Sequence, residues 1–158
     1  MTNQIAPSAA ASCSNQAADR GTEYFVITTI LRPLPCGGSV KESHAYVTLV
    51  KAGTDRLALF EQVHREIPQR MRNQLRVFFY AEPNQIAPGE YVVMVTLDQS
   101  AHDGQELTAA STDLYYASPG TRRTDLYWRM RASLADLGAA VGEVTFFSAE
   151  LNHMSIPA

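Results

Sequence analysis

The sequence predicts an α+β fold: an internal tandem repeat of two ββαβ units, six strands and two helices in all, related by a pseudo-twofold. Three observations predict it. The first is the repeat itself. Glu23-Tyr24-Phe25-Val26-Ile27-Thr28-Thr29-Ile30 returns as Glu90-Tyr91-Val92-Val93-Met94-Val95-Thr96-Leu97, a shift of 67 residues. That shift also carries Gly53-Thr54 to Gly120-Thr121 and Arg56 to Arg123. A shift of 68 carries Phe78-Phe79-Tyr80-Ala81-Glu82-Pro83-Asn84 to Phe146-Phe147-Ser148-Ala149-Glu150-Leu151-Asn152. The second observation is a change of period inside each copy, from runs of β-branched and aromatic residues to apolar residues at helical spacing. The third is size and composition. At 158 residues and 46% hydrophobic, the chain suits one domain or two small subdomains that share a core. Residues 1–22 read as a disordered tail, 23–86 as the first repeat, 87–154 as the second, and 155–158 as a tail.

Each copy opens with a strand, since residues 23–31 are dense in Tyr, Phe, Val, Ile and Thr. Cys36-Gly37-Gly38 and Asp103-Gly104 supply the positive-φ residues of a hairpin turn with polar tips. Return strands run to Val50 and Ala117. Thr54 and Thr121 are expected to cap the helices that follow. Leu59, Phe60, Val63 and Ile67 share one helix face, as do Leu126, Tyr127, Met130, Leu134 and Leu137. Pro68 is expected to end the first helix, and Gly138 and Gly142 the second. A last strand closes each unit at 75–82 and 143–150. The first strand is apolar on both sides, and the last strand carries Phe78 or Phe146 opposite its other apolar residues. Both sheet faces are therefore expected to be covered, one by helix and the other by the second unit's sheet or by a second copy.

The bulk properties exclude several classes. A net charge of −3 gives no global attraction for nucleic acid or anionic membrane. The charge is unevenly split, with eight Lys/Arg against six Asp/Glu over 23–86 and four against nine over 90–154. Cys13 and Cys36 make neither a disulfide framework nor a zinc site, so a reducing cytoplasm is expected. No run approaches the roughly 18 apolar residues of a membrane span, and residues 1–22 lack the basic start and apolar segment of a signal peptide.

The order hairpin, helix, strand is similar to the opening of a β-grasp domain, without the further strand that such folds require. The phrases GTDRLALFEQV and RVFFYAEPNQI resemble segments of small uncharacterised actinobacterial proteins, often carried on plasmids or phages. That resemblance brings no activity and no functional residue.

Candidate chemistry is sparse. Glu82 with Asn84, and Glu150 with Asn152, end equivalent strands. Near a twofold axis, two carboxylates could hold a divalent cation or share acid–base work. Against this, Asn opens turns and a Glu at a strand end is commonly solvated. His44, His64, His102 and His153 have no metal-ligand spacing, so no metal and no cofactor is expected. Ser43 and His44 are neighbours on a strand, and their side chains point to opposite faces. No nucleophile elbow, phosphate loop or dinucleotide fingerprint occurs, which weighs against catalysis. Arg122 and Arg123 open a helix, where the dipole disfavours them. With Tyr127 and Trp128 they could contact a phosphate or a carboxylate-bearing partner. Alternatively, Arg56 and Arg123 pair with Glu82 and Glu150 as scaffold. An exposed Trp beside Arg is the composition of a binding hot spot. The expectation is a small cytoplasmic interaction or adaptor module with a protein partner or a second copy. A nucleic-acid accessory protein, or an enzyme or ligand binder with a site between the repeats, are the alternatives.

Overall fold

The computed structural model describes residues 21–66, 75–100, 106–136 and 142–152. Expectations for the tail before residue 21, for Ile67, Pro68, His102, Asp103, Gly104, Leu137, Gly138 and His153, and for the last residues lie outside them. The first unit comprises β1 (Thr22–Pro33), β2 (Ser39–Val50), α1 (Arg56–Glu66) and β3 (Leu75–Pro83). The second comprises β4 (Gly89–Ser100), β5 (Glu106–Ala117), α2 (Arg123–Asp136) and β6 (Glu143–Leu151). Thr22 already belongs to β1, so the expected tail overlaps the fold at its last residue.

The fold is α+β, with six strands in two separate antiparallel sheets ordered β2-β1-β3 and β5-β4-β6, and two helices. Registers match between the units. Thr22 faces Val50 and Gly89 faces Ala117 at one end of each hairpin, and Pro33 faces Ser39 where Ser100 faces Glu106 at the other. A register shift between Thr29 and Ile30 recurs between Thr96 and Leu97. The first hairpin turns through Gly37 and Gly38 at φ 88° and 79°, which their missing Cβ permits.

Helix starts differ from expectation. Asp55, not Thr54, caps α1: its Oδ1 accepts the Ala58 N–H at 2.8 Å. Thr54 and Thr121 sit one step earlier, their N–H groups closing turns onto Lys51 and Ser118. The cap of α2 comes from the linker between the units. Asn84 Oδ1 accepts the Thr124 N–H at 3.2 Å and its hydroxyl at 2.6 Å, while the Asn84 carbonyl accepts the Arg123 N–H. Gly142 directly precedes β6, where a Cβ would meet Leu97 Cβ and Gln99 Cγ at 3.0 Å.

Burial shows how the units meet. Phe25 through Ile30 are all buried, so sheet 1 is covered on both faces. One face takes α1, with Val26, Val50, Leu59, Val63 and Ala81 as a small core. The other face is covered by the flank of the second unit formed by α2 and β6, rather than by a sheet lying back to back. Phe25 meets Tyr127 at 5.2 Å and Phe147 at 5.9 Å, and Tyr80 meets Phe147 edge-on at 5.0 Å. Phe25 and Ile27 thereby join the larger core, which runs through Tyr91, Val93, Val95 and Leu97 to Leu126, Met130 and Leu134.

Phe78 and Phe146, equivalent positions, touch at 6.5 Å, as a twofold would have it. The rest of the junction is one-sided. In β4, Tyr91, Val93, Val95 and Leu97 are buried against α2, whereas Val92, Met94 and Thr96 are only half-buried. Sheet 2 therefore keeps a partly open face along its central strand, whereas on sheet 1 the central strand is closed from Phe25 to Ile30 and the exposed apolar residues of its junction-side face, Val47 and Leu49, lie on its edge strand.

Polar contacts lock the junction. The Ser43 N–H donates to the Glu143 carboxylate and Ser43 Oγ accepts the Val144 N–H at 2.7 Å. The Thr29 hydroxyl donates to the Val144 carbonyl. Lys41 Nζ reaches Asp98 Oδ2 at 2.5 Å. Burial works to raise the Asp98 carboxyl, but hydrogen bonds from Lys41 and Thr108 outweigh it and hold the group below its ordinary range.

Candidate functional site

Of the residues singled out in the sequence, Asn84, Arg122, Arg123 and Tyr127 make contacts across the inter-unit junction, where they serve the scaffold. Asn84 is fully buried as the cap of α2, its N–H donating to the Glu23 carbonyl at 2.8 Å. Asn152, its repeat equivalent, closes onto Glu90 in the same way at 2.9 Å. These two Asn tie the end of each last strand to the start of each first strand. Glu82 pairs with Arg56, and Glu150 is exposed. Arg123 does not follow Arg56 in pairing with the equivalent glutamate. Its Nη1 donates to the Ala149 carbonyl at 2.6 Å and the Tyr80 hydroxyl at 3.3 Å, and its Nε to the Pro83 carbonyl at 2.9 Å. The guanidinium is thus consumed by carbonyls that the junction would otherwise strand. Burial pushes the Tyr80 phenol up to about 12, with Arg123 pulling the other way. Arg122 lies 4.0 Å from Glu23. Among the described residues, no three His, Cys, Asp or Glu come together as a metal group.

Trp128 is different. Tyr127 turns inward and is buried in the core, while Trp128, the only tryptophan in the chain, is 55% exposed. The two rings meet edge-on at 4.9 Å, so the buried ring fixes the exposed one. Trp128 stands over a cleft of about 480 Å³ between the units, a size within the usual range for ligand sites. One wall is β2, from Ser43 through Tyr46; the other is Tyr127, Trp128, Arg131 and the start of β6.

Sequence reasoning weighed Ser43 and His44 only as a possible pair and did not bring the β2 wall to α2, since its residues lie far along the chain from that helix. The only signal was an apolar, aromatic return strand at Ala45-Tyr46-Val47. Polar groups at the cleft floor are already committed. Ser43 Oγ bonds Thr29 Oγ1 at 2.7 Å as well as Val144, and Arg131 donates to the Gly142 carbonyl at 2.8 Å. A hydroxyl held this way is a poor nucleophile, and His44 points to the opposite face of β2. Burial also raises the Tyr127 phenol, opposed by Arg131.

What the cleft does offer is a strand edge. Among the described residues β2 pairs only with β1. The Ser43 N–H points away from β1, to Glu143, so by antiparallel alternation the backbone groups of Ala45, Val47 and Leu49 also point outward. Val47 and Leu49 are exposed and share a sheet face with Ala45, which lines the cleft. A strand edge left open by the described strands, flanked by exposed apolar side chains and a fixed indole, is suited to binding an extended chain. No helix among the described residues is long and apolar enough to cross a membrane. Compared with protein-family models, curated proteins and solved structures, the chain matches none.

Proposed function

We propose that this protein is a non-enzymatic protein-interaction module that takes an extended peptide segment of a partner along the edge of β2, with Trp128 as its anchor. The observation that carries this reading is the exposed indole, held by Tyr127 over a cleft whose other wall is a strand edge that no other described strand pairs with. Main-chain hydrogen bonds to Ala45, Val47 and Leu49 would supply affinity, and alternate apolar side chains of the peptide, facing Val47, Leu49 and Trp128, would supply selectivity. The commitment of Ser43, Arg131 and Arg123 to the junction supports binding over chemistry. A reducing cytoplasm is the compartment we infer, supported by the exposed Cys36 thiol.

The test uses a displayed library of extended peptides selected against the full chain. Binders are expected to shift the fluorescence of Trp128, which is the only indole present. Trp128→Ala is expected to weaken them about 30-fold or more, the cost of losing a tryptophan anchor, with the melting temperature unchanged. Binders that neither shift the emission nor lose affinity in the variant would contradict the reading.

A further inference from the structure

We infer that the peptide taken along β2 is the C-terminal end of its protein, laid antiparallel to β2 with its free carboxylate held in the cleft by Arg131 and the Tyr127 hydroxyl. It rests on the edge-binding function proposed above and gives that peptide a direction and an end. The direction follows from where the edge stops. Ala45, Val47 and Leu49 offer outward backbone groups, but from Ser43 back toward the start of β2 the edge is shut. There the Ser43 N–H is taken by Glu143, the Ser43 hydroxyl oxygen by the Val144 N–H at 2.7 Å, and Lys41 by Asp98 at 2.5 Å. A strand added along the edge therefore runs out at Ala45, in the cleft. From the cleft β2 runs on through Val47 to Val50. An antiparallel strand thus arrives in the cleft with its C-terminus, and a parallel one starts there with its N-terminus.

Charge selects the C-terminus. Of the ionisable groups lining the cleft, Glu143 has its carboxylate on the Ser43 N–H, and His44 turns to Glu42 at 3.4 Å. Arg131 is half-buried, and its Nη1 donates to the Gly142 carbonyl at 2.8 Å, which fixes the guanidinium in place. Its Nε and Nη2 make no hydrogen bond, and its charge no ion pair, among the described residues. Tyr127 supplies a second donor. The residue is only 4% exposed, yet its hydroxyl has no hydrogen-bond partner among the described residues. The phenol feels the charges of Arg131 and Glu143, so its polar end faces the cleft that both of them line. Burial raises the phenol, which therefore keeps its proton and can donate it to an anion. A fixed cation without a counter-ion, beside a buried and unpartnered hydroxyl, is a donor set for a carboxylate. A chain amine would meet the guanidinium as a like charge.

The experiment uses short peptides selected against the full chain from a library displayed through its N-terminus, so that the C-terminus is free. They are remade with a free carboxylate, with a C-terminal amide, and with an acetylated N-terminus, and their affinities are measured by titration calorimetry. Amidation is expected to weaken binding about 10-fold or more, the loss of hydrogen bonds to a charged group, and acetylation to leave it unchanged. Arg131→Met and Tyr127→Phe are each expected to weaken the free-acid peptide and to change the amide far less, since the interaction lost is the same one. Tyr127→Phe keeps the ring against Phe25 and Phe147, so it tests the inference even where Arg131→Met fails to fold. Amide and free acid of equal affinity, both weakened by Trp128→Ala, overturn this inference and leave the edge-binding function standing. Affinity lost on acetylation instead of amidation overturns it too, since the peptide then starts in the cleft. Failure of every selected peptide to bind sinks the edge-binding function and this inference with it.

Discussion

Replacing Phe25 by alanine is expected to cost about 3–5 kcal/mol, the range for emptying an aromatic site in a closed core. Phe25 has no solvent exposure and touches Tyr80, Tyr127 and Phe147, so one ring bridges β1, β3, α2 and β6. None of these neighbours is free to collapse into the gap, because each is pinned by the others. The repeat supplies an internal control in Val92, the same position one unit along, which is half-buried on the open face of sheet 2. Val92→Ala should cost only about 1 kcal/mol or less, since little apolar surface leaves water there on folding. Urea unfolding of both variants measures the contrast. Equal losses at the two positions would mean that the junction is not one-sided.

Arg123→Met is expected to cost about 2–4 kcal/mol. Methionine keeps much of the aliphatic stem but removes every donor, leaving the Pro83 and Ala149 carbonyls and the Tyr80 hydroxyl without their cation. An unsatisfied buried acceptor costs about 1–3 kcal/mol, and two carbonyls are stranded together. Arg56→Met, at the equivalent position, should be nearly silent. Arg56 is three-quarters exposed; it pairs with Glu82 at the surface, where such bridges contribute about 0–1 kcal/mol, and its one carbonyl contact, to Ala81 at 3.3 Å, is long. A large loss at Arg56, or none at Arg123, would contradict the assignment of Arg123 to the junction.

The equivalence of Arg56 and Arg123 shows where the sequence can be read and where it cannot. The repeat made both units, their strands and their helices legible, because each copy carries the same local pattern. It did not tell which copy would face a neighbour. Arg56 remains at the surface with its glutamate and the Ala81 carbonyl; Arg123 holds the equivalent Ala149 carbonyl and, at the junction with the first unit, takes the Pro83 carbonyl and Tyr80 hydroxyl in place of a glutamate. The double-sided apolar pattern of β1 correctly indicated that both of its faces are covered. What covers the second face depends on Tyr127 and Phe147, whose local sequence context is the same whether they face a partner or water. The caps failed for a related reason. Thr54 and Thr121 have the right chemistry, but Asp55 is the next residue along, and the cap of α2 arrives from Asn84 across the linker. Trp128 could be placed on the outer face of α2 from helical spacing alone. The cleft beneath it could not, because its other wall belongs to β2 of the first unit.

The most direct measurement is amide hydrogen exchange, followed residue by residue, in the full chain with and without a selected peptide. The β-edge reading predicts that binding slows exchange at Ala45, Val47 and Leu49, whose N–H groups point outward from β2, and leaves Tyr46 and Thr48, already bonded to β1, unchanged. Protection confined to α2 or to the sheet-2 face, with those three amides exchanging as before, would contradict it.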